Sequence, residues 1–218
     1  MVVVGHLMEG QPMNLYETIT TQQDPKLANS LAAFSRDNIQ EFLGVVERYE
    51  HSALAGISNA EAFWLYFMVK ALKPTQIIES GTCYGYSLHF IAEAVSWPCR
   101  IVSFDIDQSR CVKRPDVVYH ETDWMHGNNL TEGEGTLVFF DDHINQGDRL
   151  AEAVARNQQH MIFHDNYLSL EHSHKPIRFC DLMDAKFCYI FPGLYDHEVF
   201  VDTSKNAQTY RWLTYLYR

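Results

Sequence analysis

Four short stretches of this chain are apolar on nearly every residue and then run into polar or acidic ones. They are Ile77-Ile78-Glu79, Ile101-Val102-Ser103-Phe104-Asp105, Leu137-Val138-Phe139-Phe140-Asp141 and Met161-Ile162-Phe163-His164-Asp165. A strand whose successive side chains are all apolar must be buried on both faces, and parallel strands covered by helices meet that need. Amphipathic stretches lie between these runs. The pattern predicts strands at 75–79, 100–104, 117–120, 136–140 and 160–164, with helices at 86–95 and 149–157. Alternation of this kind belongs to the α/β, doubly wound class, a mostly parallel sheet between two helical layers.

The flanks read differently. Leu31, Phe34, Ile39, Phe42, Leu43 and Val46 recur at helical spacing, and Asn59 is placed to cap a further helix at 60–72 that Pro74 ends. Apolar and aromatic residues at 61–69 suit a substrate pocket or, more simply, core. Beyond the fifth strand, 186–191 and 198–202 flank Pro192-Gly193 and read as adjacent strands, one of them antiparallel to the sheet. A closing helix is expected at 207–217; its Tyr210, Trp212, Tyr215 and Tyr217 suit an oligomer contact or core packing. With no repeats or linkers, 1–218 reads as one domain, an N-terminal helical cap (1–74) on an α/β core (75–218).

Size and charge narrow the partners. The 218 residues suffice for one substantial core, and the net charge of −11 repels phosphate backbones and anionic lipid. Nucleic acid and membrane are therefore not expected as partners, and no run is long enough to cross a bilayer. The five cysteines are scattered, without a CxxC pair, as in a reduced cytoplasmic protein. The opening MVVVGHLM lacks a basic leader and is not read as a signal peptide.

The chemistry concentrates at strand ends. In Glu79-Ser80-Gly81-Thr82-Cys83-Tyr84-Gly85-Tyr86-Ser87 an acid, a glycine turn and a helix start follow a buried strand. A dinucleotide site would carry GxGxxG to bring a pyrophosphate onto the helix. The spacing here is GxxxG, which suits a cofactor without phosphate, with Glu79 near a cationic amino group; a plain strand-to-helix turn has the same residues. About 20 residues on, Asp105 ends the second strand and can accept from both hydroxyls of a ribose. After the third strand, Asp123 can accept from an adenine amino group and Trp124 can pack on the ring, although Asp123 also fits a turn or cap.

In these residues the chain resembles the class I S-adenosylmethionine-dependent methyltransferases, over about 77–166 and loosely to the C-terminal strands. ESGTCYGYS is similar to that family's first motif in its catechol-type O-methyltransferase form. The resemblance implies a seven-stranded sheet with an antiparallel C-terminal strand and S-adenosylmethionine as cofactor. It also implies Glu79, Gly81, Thr82 and Gly85 around the methionine portion, Ser87 beside its amino acid end, Asp105 on the ribose, and Asp123 with Trp124 near adenine.

Asp141-Asp142-His143 and Asp165-Asn166 end the fourth and fifth strands, whose carboxyl ends share one crevice in an open α/β sheet. Asp141, Asp165 and Asn166 form a hard-oxygen set suited to Mg²⁺, and the catechol-type enzymes show a similar pattern. Alternatively Asp141 orients cofactor or substrate while Asp165-Asn166 caps a loop. The catechol-type lysine base is replaced by Ile144, so His143 or Asp142 is the expected proton acceptor. DDH and HDNY are also similar to the cephalosporin-hydroxylase-like branch. His172 and His174 form an HxH pair that suits a solvated loop or a ligand set. The expectation is methyl transfer to a small molecule, with an oxygen acceptor assisted by a divalent metal. Cleavage or cyclisation of the cofactor's aminobutyrate chain, or a non-catalytic cofactor-binding subunit, stays open.

Overall fold

The computed structural model describes Leu15 and residues 26–49, 56–127, 135–142, 146–164, 187–191 and 213–217. Two helices come first, α1 (Lys26–Glu47) and α2 (Asn59–Leu72). The core follows as β1 (Gln76–Ser80), α3 (Tyr86–Ala94), β2 (Arg100–Asp105) and β3 (Val117–Glu121). After a 3₁₀ turn (Trp124–His126) come β4 (Thr136–Phe140), α4 (Gln146–Ala155) and β5 (His160–Phe163), then β6 (Phe187–Ile190) and β7 (Thr214–Tyr217).

The seven strands form one sheet of order β3-β2-β1-β4-β5-β7-β6. The pairs from β3 through β5 are parallel, and β7 lies antiparallel between β5 and β6. β1 is flanked by β2 on one side and β4 on the other, so the order reverses there and opens a crevice above its carboxyl end.

The apolar runs are explained by two cores, one on each face. Ile77, Ile101, Leu137, Phe139, Ile162 and Tyr215 pack with α1, α2 and α3. Their neighbours Ile78, Val102, Val138, Phe140, Met161, Phe163 and Leu216 pack with Leu150 and Ala153 of α4 and with Trp124. Side chains alternate across a strand, so each run supplies both cores at once. On the first face Phe42 stacks on Phe90 at 5.3 Å and meets Phe63 edge-on, which ties α1 to both α2 and α3. The aromatic run at 61–69 is core: Phe63, Trp64, Leu65 and Met68 are all buried.

Two expectations change. The cap of α2 is Ser58, whose hydroxyl accepts from the Glu61 amide while Glu61 accepts from the Ser58 amide, a reciprocal box. Asn59, the expected cap, instead accepts a hydrogen bond from the Tyr86 hydroxyl through Oδ1. The predicted closing helix at 207–217 is also overturned where the structure describes it, because Thr214–Tyr217 is β7. Thr214-Tyr215-Leu216-Tyr217 is β-branched and aromatic with two-residue alternation: Tyr215 joins one core and Leu216 the other. The expected strand at 198–202 lies outside the described residues. No helix among the described residues is long and apolar enough to cross a membrane.

Candidate active site

A cavity of about 330 Å³ opens at the carboxyl ends of the parallel strands. Its walls include Ser80 and Gly81 after β1, Asp105 and Ile106 after β2, Asp123 and Trp124 after β3, and Asp141 and Asp142 after β4. Gly56, Cys83 and Arg149 complete much of the lining. A larger cavity of about 560 Å³ is lined by Gly85, at the far end of the turn after β1, and by Tyr49, His89, Arg48, Arg114 and Glu93; both arginines pair with Glu93, at 2.8 and 3.3 Å.

The turn after β1 is shaped by backbone crowding. Gly81 has φ +96°, and a Cβ there would stand 2.5 Å from the carbonyl of Asp141. Gly85 has φ +83° and caps α3. Between them the Thr82 and Cys83 amides both donate to Asp105 Oδ2 at 2.8 Å, and the Asp107 amide donates to Oδ1 at 3.0 Å. Three of that carboxylate's roughly four acceptor positions are thus committed to backbone. Asp105 faces the cavity but has little capacity left for a diol.

Glu79 lies one layer below. It is wholly buried and does not line the cavity; Ser87 donates to its Oε1 at 2.6 Å and Ser103 to its Oε2 at 2.7 Å. Thr82, also buried, is within hydrogen-bonding reach of Ser103. Burial pushes the Glu79 carboxyl up to about 8 against the two hydroxyls that favour its charge. Glu79, Thr82 and Ser87 therefore form the support under the turn.

On the far wall, Asp123 faces the buried guanidinium of Arg149. Nη1 and Nη2 meet its two carboxylate oxygens at 2.8 Å each, and the Met125 amide donates to Oδ1 at 2.7 Å. Arg149 holds the Asp123 carboxyl below the usual carboxylate range. The remaining nitrogen, Nε, lies 2.8 Å from Asp142 Oδ2, which also accepts from Ser80. Asp142, an expected proton acceptor, is thus tied to a permanent cation and a hydroxyl. Trp124 is fully buried, edge-on to Phe140, with the Arg156 guanidinium 4.8 Å over its ring. Ile106, 74% exposed, is the apolar side chain that the cavity mouth presents.

Behind Asp141 lies a buried ionic cluster that does not itself line the cavity. His164, at the end of β5, pairs through Nδ1 with Asp141 and lies 3.3 Å through Nε2 from Glu61 of α2. Burial alone would push the imidazole down, but the two carboxylates outweigh it and hold it well above its ordinary value. Glu61 is held low in return: burial would raise it, and His164 together with the Ser58 amide and hydroxyl more than offsets that. Among the described residues no group of three or more histidines, cysteines or acids is arranged to hold a metal. His143, Asp165 and Asn166, and likewise His172 and His174, lie outside the described residues.

Sequence reasoning missed Arg149, Glu61, His164 and Ile106 as parts of this site. Arg149 had a signal, since it shares the buried face of α4 with Gln146, Leu150 and Ala153, where a charge needs a partner. Glu61 had another in the Ser58-Asn59-Ala60-Glu61 capping signature.

No protein-family model matches this chain, and no curated protein matches it. Solved structures do. A putative O-methyltransferase from Klebsiella pneumoniae aligns at TM-score 0.54 with 15% identity over 94% of each chain. The O-methyltransferase from Bacillus cereus, in complex with SAH, aligns at 0.52 with 14% identity over 94% of this chain and 96% of its own. A methyltransferase from Geobacter sulfurreducens gives 0.52 and 14% over 93% and 95%. The chain has the class I methyltransferase fold. In that methyltransferase fold the β3-β2-β1-β4-β5-β7-β6 order, with its antiparallel β7, is accounted for as a whole.

Proposed function

We propose that this chain is an S-adenosylmethionine-dependent methyltransferase that acts on a small molecule, with oxygen as the accepting atom. The observation that supports it is convergence: Gly81, Asp105, Asp123 and Asp141, from the ends of four strands, line one cavity. The Klebsiella neighbour, a putative O-methyltransferase, and the Bacillus O-methyltransferase favour an oxygen acceptor.

S-Adenosylmethionine supplies a methyl group already made electrophilic by its sulfonium centre. The chain's part is then placement. Asp105, Asp123, Asp141 and Asp142 make the cavity acidic, which favours a cationic ligand, and Arg149 is the guanidinium set among them. Ile106 offers an apolar face for the base, Asp123 an acceptor for its amino group, and the 81–85 turn a close backbone approach for the methionine portion. His143 is the proton acceptor we favour, since Asp142 is committed to Arg149 and Ser80.

The residues described supply one member of the expected Mg²⁺ set, Asp141, and it is paired with His164. A cation bound there would compete with that imidazole. With Asp165 and Asn166 as its other ligands, Mg²⁺ would orient and acidify a substrate oxygen when bound.

Calorimetric titration with S-adenosylmethionine and S-adenosylhomocysteine, each with and without Mg²⁺, tests the reading. Micromolar binding, about −8 kcal/mol, is expected. Absence of binding under every condition sinks it. Turnover that is equal with and without chelator removes the metal alone, and methylthioadenosine as product replaces methyl transfer by aminobutyrate chemistry.

A further inference from the structure

We infer that Arg149 is the positioning residue that makes this cavity select a purine with an amino group over one with a carbonyl. This rests on the cofactor reading above and adds a residue that neither the sequence motifs nor the fold assigns.

An aspartate on a loop after a strand is free to rotate, and a rotating carboxylate accepts from whatever donor arrives. Asp123 is not in that state. The planar guanidinium of Arg149 binds it in a fork, 2.8 Å on each side, and the Met125 amide takes a further position on Oδ1. Of roughly four acceptor positions on a carboxylate, three are filled, and the one left is on Oδ2. Asp123 lines the cavity and keeps a fifth of its side chain exposed, whereas Arg149 is 1% exposed. The site therefore presents one fixed acceptor position and no rotatable donor. A ligand N–H satisfies it. A ligand carbonyl would set two acceptors against each other where little water can intervene.

The fork is itself anchored. Arg149 Nε is 2.8 Å from Asp142, which accepts from Ser80 at the end of β1. The chain Ser80–Asp142–Arg149–Asp123 thus runs along the cavity wall from the glycine turn to the base side. Lysine cannot reproduce it, because an ammonium is a point charge without a planar fork.

The test compares S-adenosylhomocysteine with S-inosylhomocysteine, its deaminated analogue, by calorimetry on the full chain. Wild type should prefer the adenine compound by at least about tenfold. Arg149→Lys should bring the two affinities to within about threefold, chiefly by weakening the adenine compound. A wild-type preference that survives in Arg149→Lys overturns the assignment, and so does an equal loss of both ligands, which marks a merely structural role. If Arg149→Lys does not fold, Asp142→Asn removes the anchor and leaves the fork. There a reduced preference supports the assignment and an unchanged one overturns it. Wild type binding neither compound fails the cofactor reading itself, a result distinct from both.

Discussion

Glu79 has both carboxyl oxygens buried under the glycine turn, bonded to Ser87 and Ser103. Its proton is held up to about pH 8, against an ordinary value of 4.5, chiefly because a charge there would be out of water. The unfolded chain gives up that proton near 4.5 and the native one near 8. The contribution to stability is therefore whole below about 4.5 and drains away as pH rises toward 8. Glu79→Gln keeps the shape and removes the titration. Its stability should gain on wild type steadily between about pH 5 and 8, by at most ~1.4 kcal/mol per pH unit, and level off above that. Parallel pH profiles for the two proteins would show that Glu79 is ionised in the fold. The sequence showed this acid at a strand end and suggested a ligand contact. What it could not show is depth: whether a strand-end carboxyl stands above or below a turn depends on the β1–β2 register that sets Glu79 beside Ser103.

Elements explain which parts of the fold were legible. The expected strand at 136–140 matches β4, and β1, β2, β3 and β5 fall within a residue or so of expectation, because the runs of β1, β2, β4 and β5 each had to feed two cores. β7 was not legible, since four residues of alternating aromatics fit a helix end as well as a strand until a neighbour is known. The site was half legible for a similar reason. Asp105, Asp123 and Asp141 follow from strand ends, whereas Arg149 and Glu61 come from helices packed on the two faces of the sheet, and pairings across elements leave no spacing signal. Two predictions belong here. Gly81→Ala should cost more than ~2 kcal/mol in urea unfolding, because its positive φ is strained for alanine and the Cβ meets the Asp141 backbone. A small cost would mean that β1 and β4 can separate at the turn. Ser58→Ala should cost about 1 kcal/mol by removing the cap of α2. Because that cap also holds Glu61, affinity for S-adenosylhomocysteine should fall with it, and unchanged affinity would uncouple α2 from the cavity.

For the whole molecule the buried ionisable groups bound one pH window from its two sides. His164 is held well above 6.5, so its contribution is complete below about 6.5 and is lost as pH rises through its folded value. Glu61 is held below 4.5, so its share is present above about 4.5 and is lost as pH falls further. Glu79 adds its own loss between 4.5 and 8. The chain also carries a net charge of −11 near neutrality, so each further ionisation adds to self-repulsion. These terms agree that stability should peak on the acid side of neutrality, between about pH 4.5 and 6.5, and decline toward pH 9. Thermal unfolding across that range checks it, with the decline shallower in Glu79→Gln. A maximum at pH 8 or above would mean that the His164 pair is not ionised in the native state. The tie between α2 and the cavity wall would then be a neutral hydrogen bond, and Glu61→Gln should cost far less than the ~3–5 kcal/mol expected for breaking a buried ion pair.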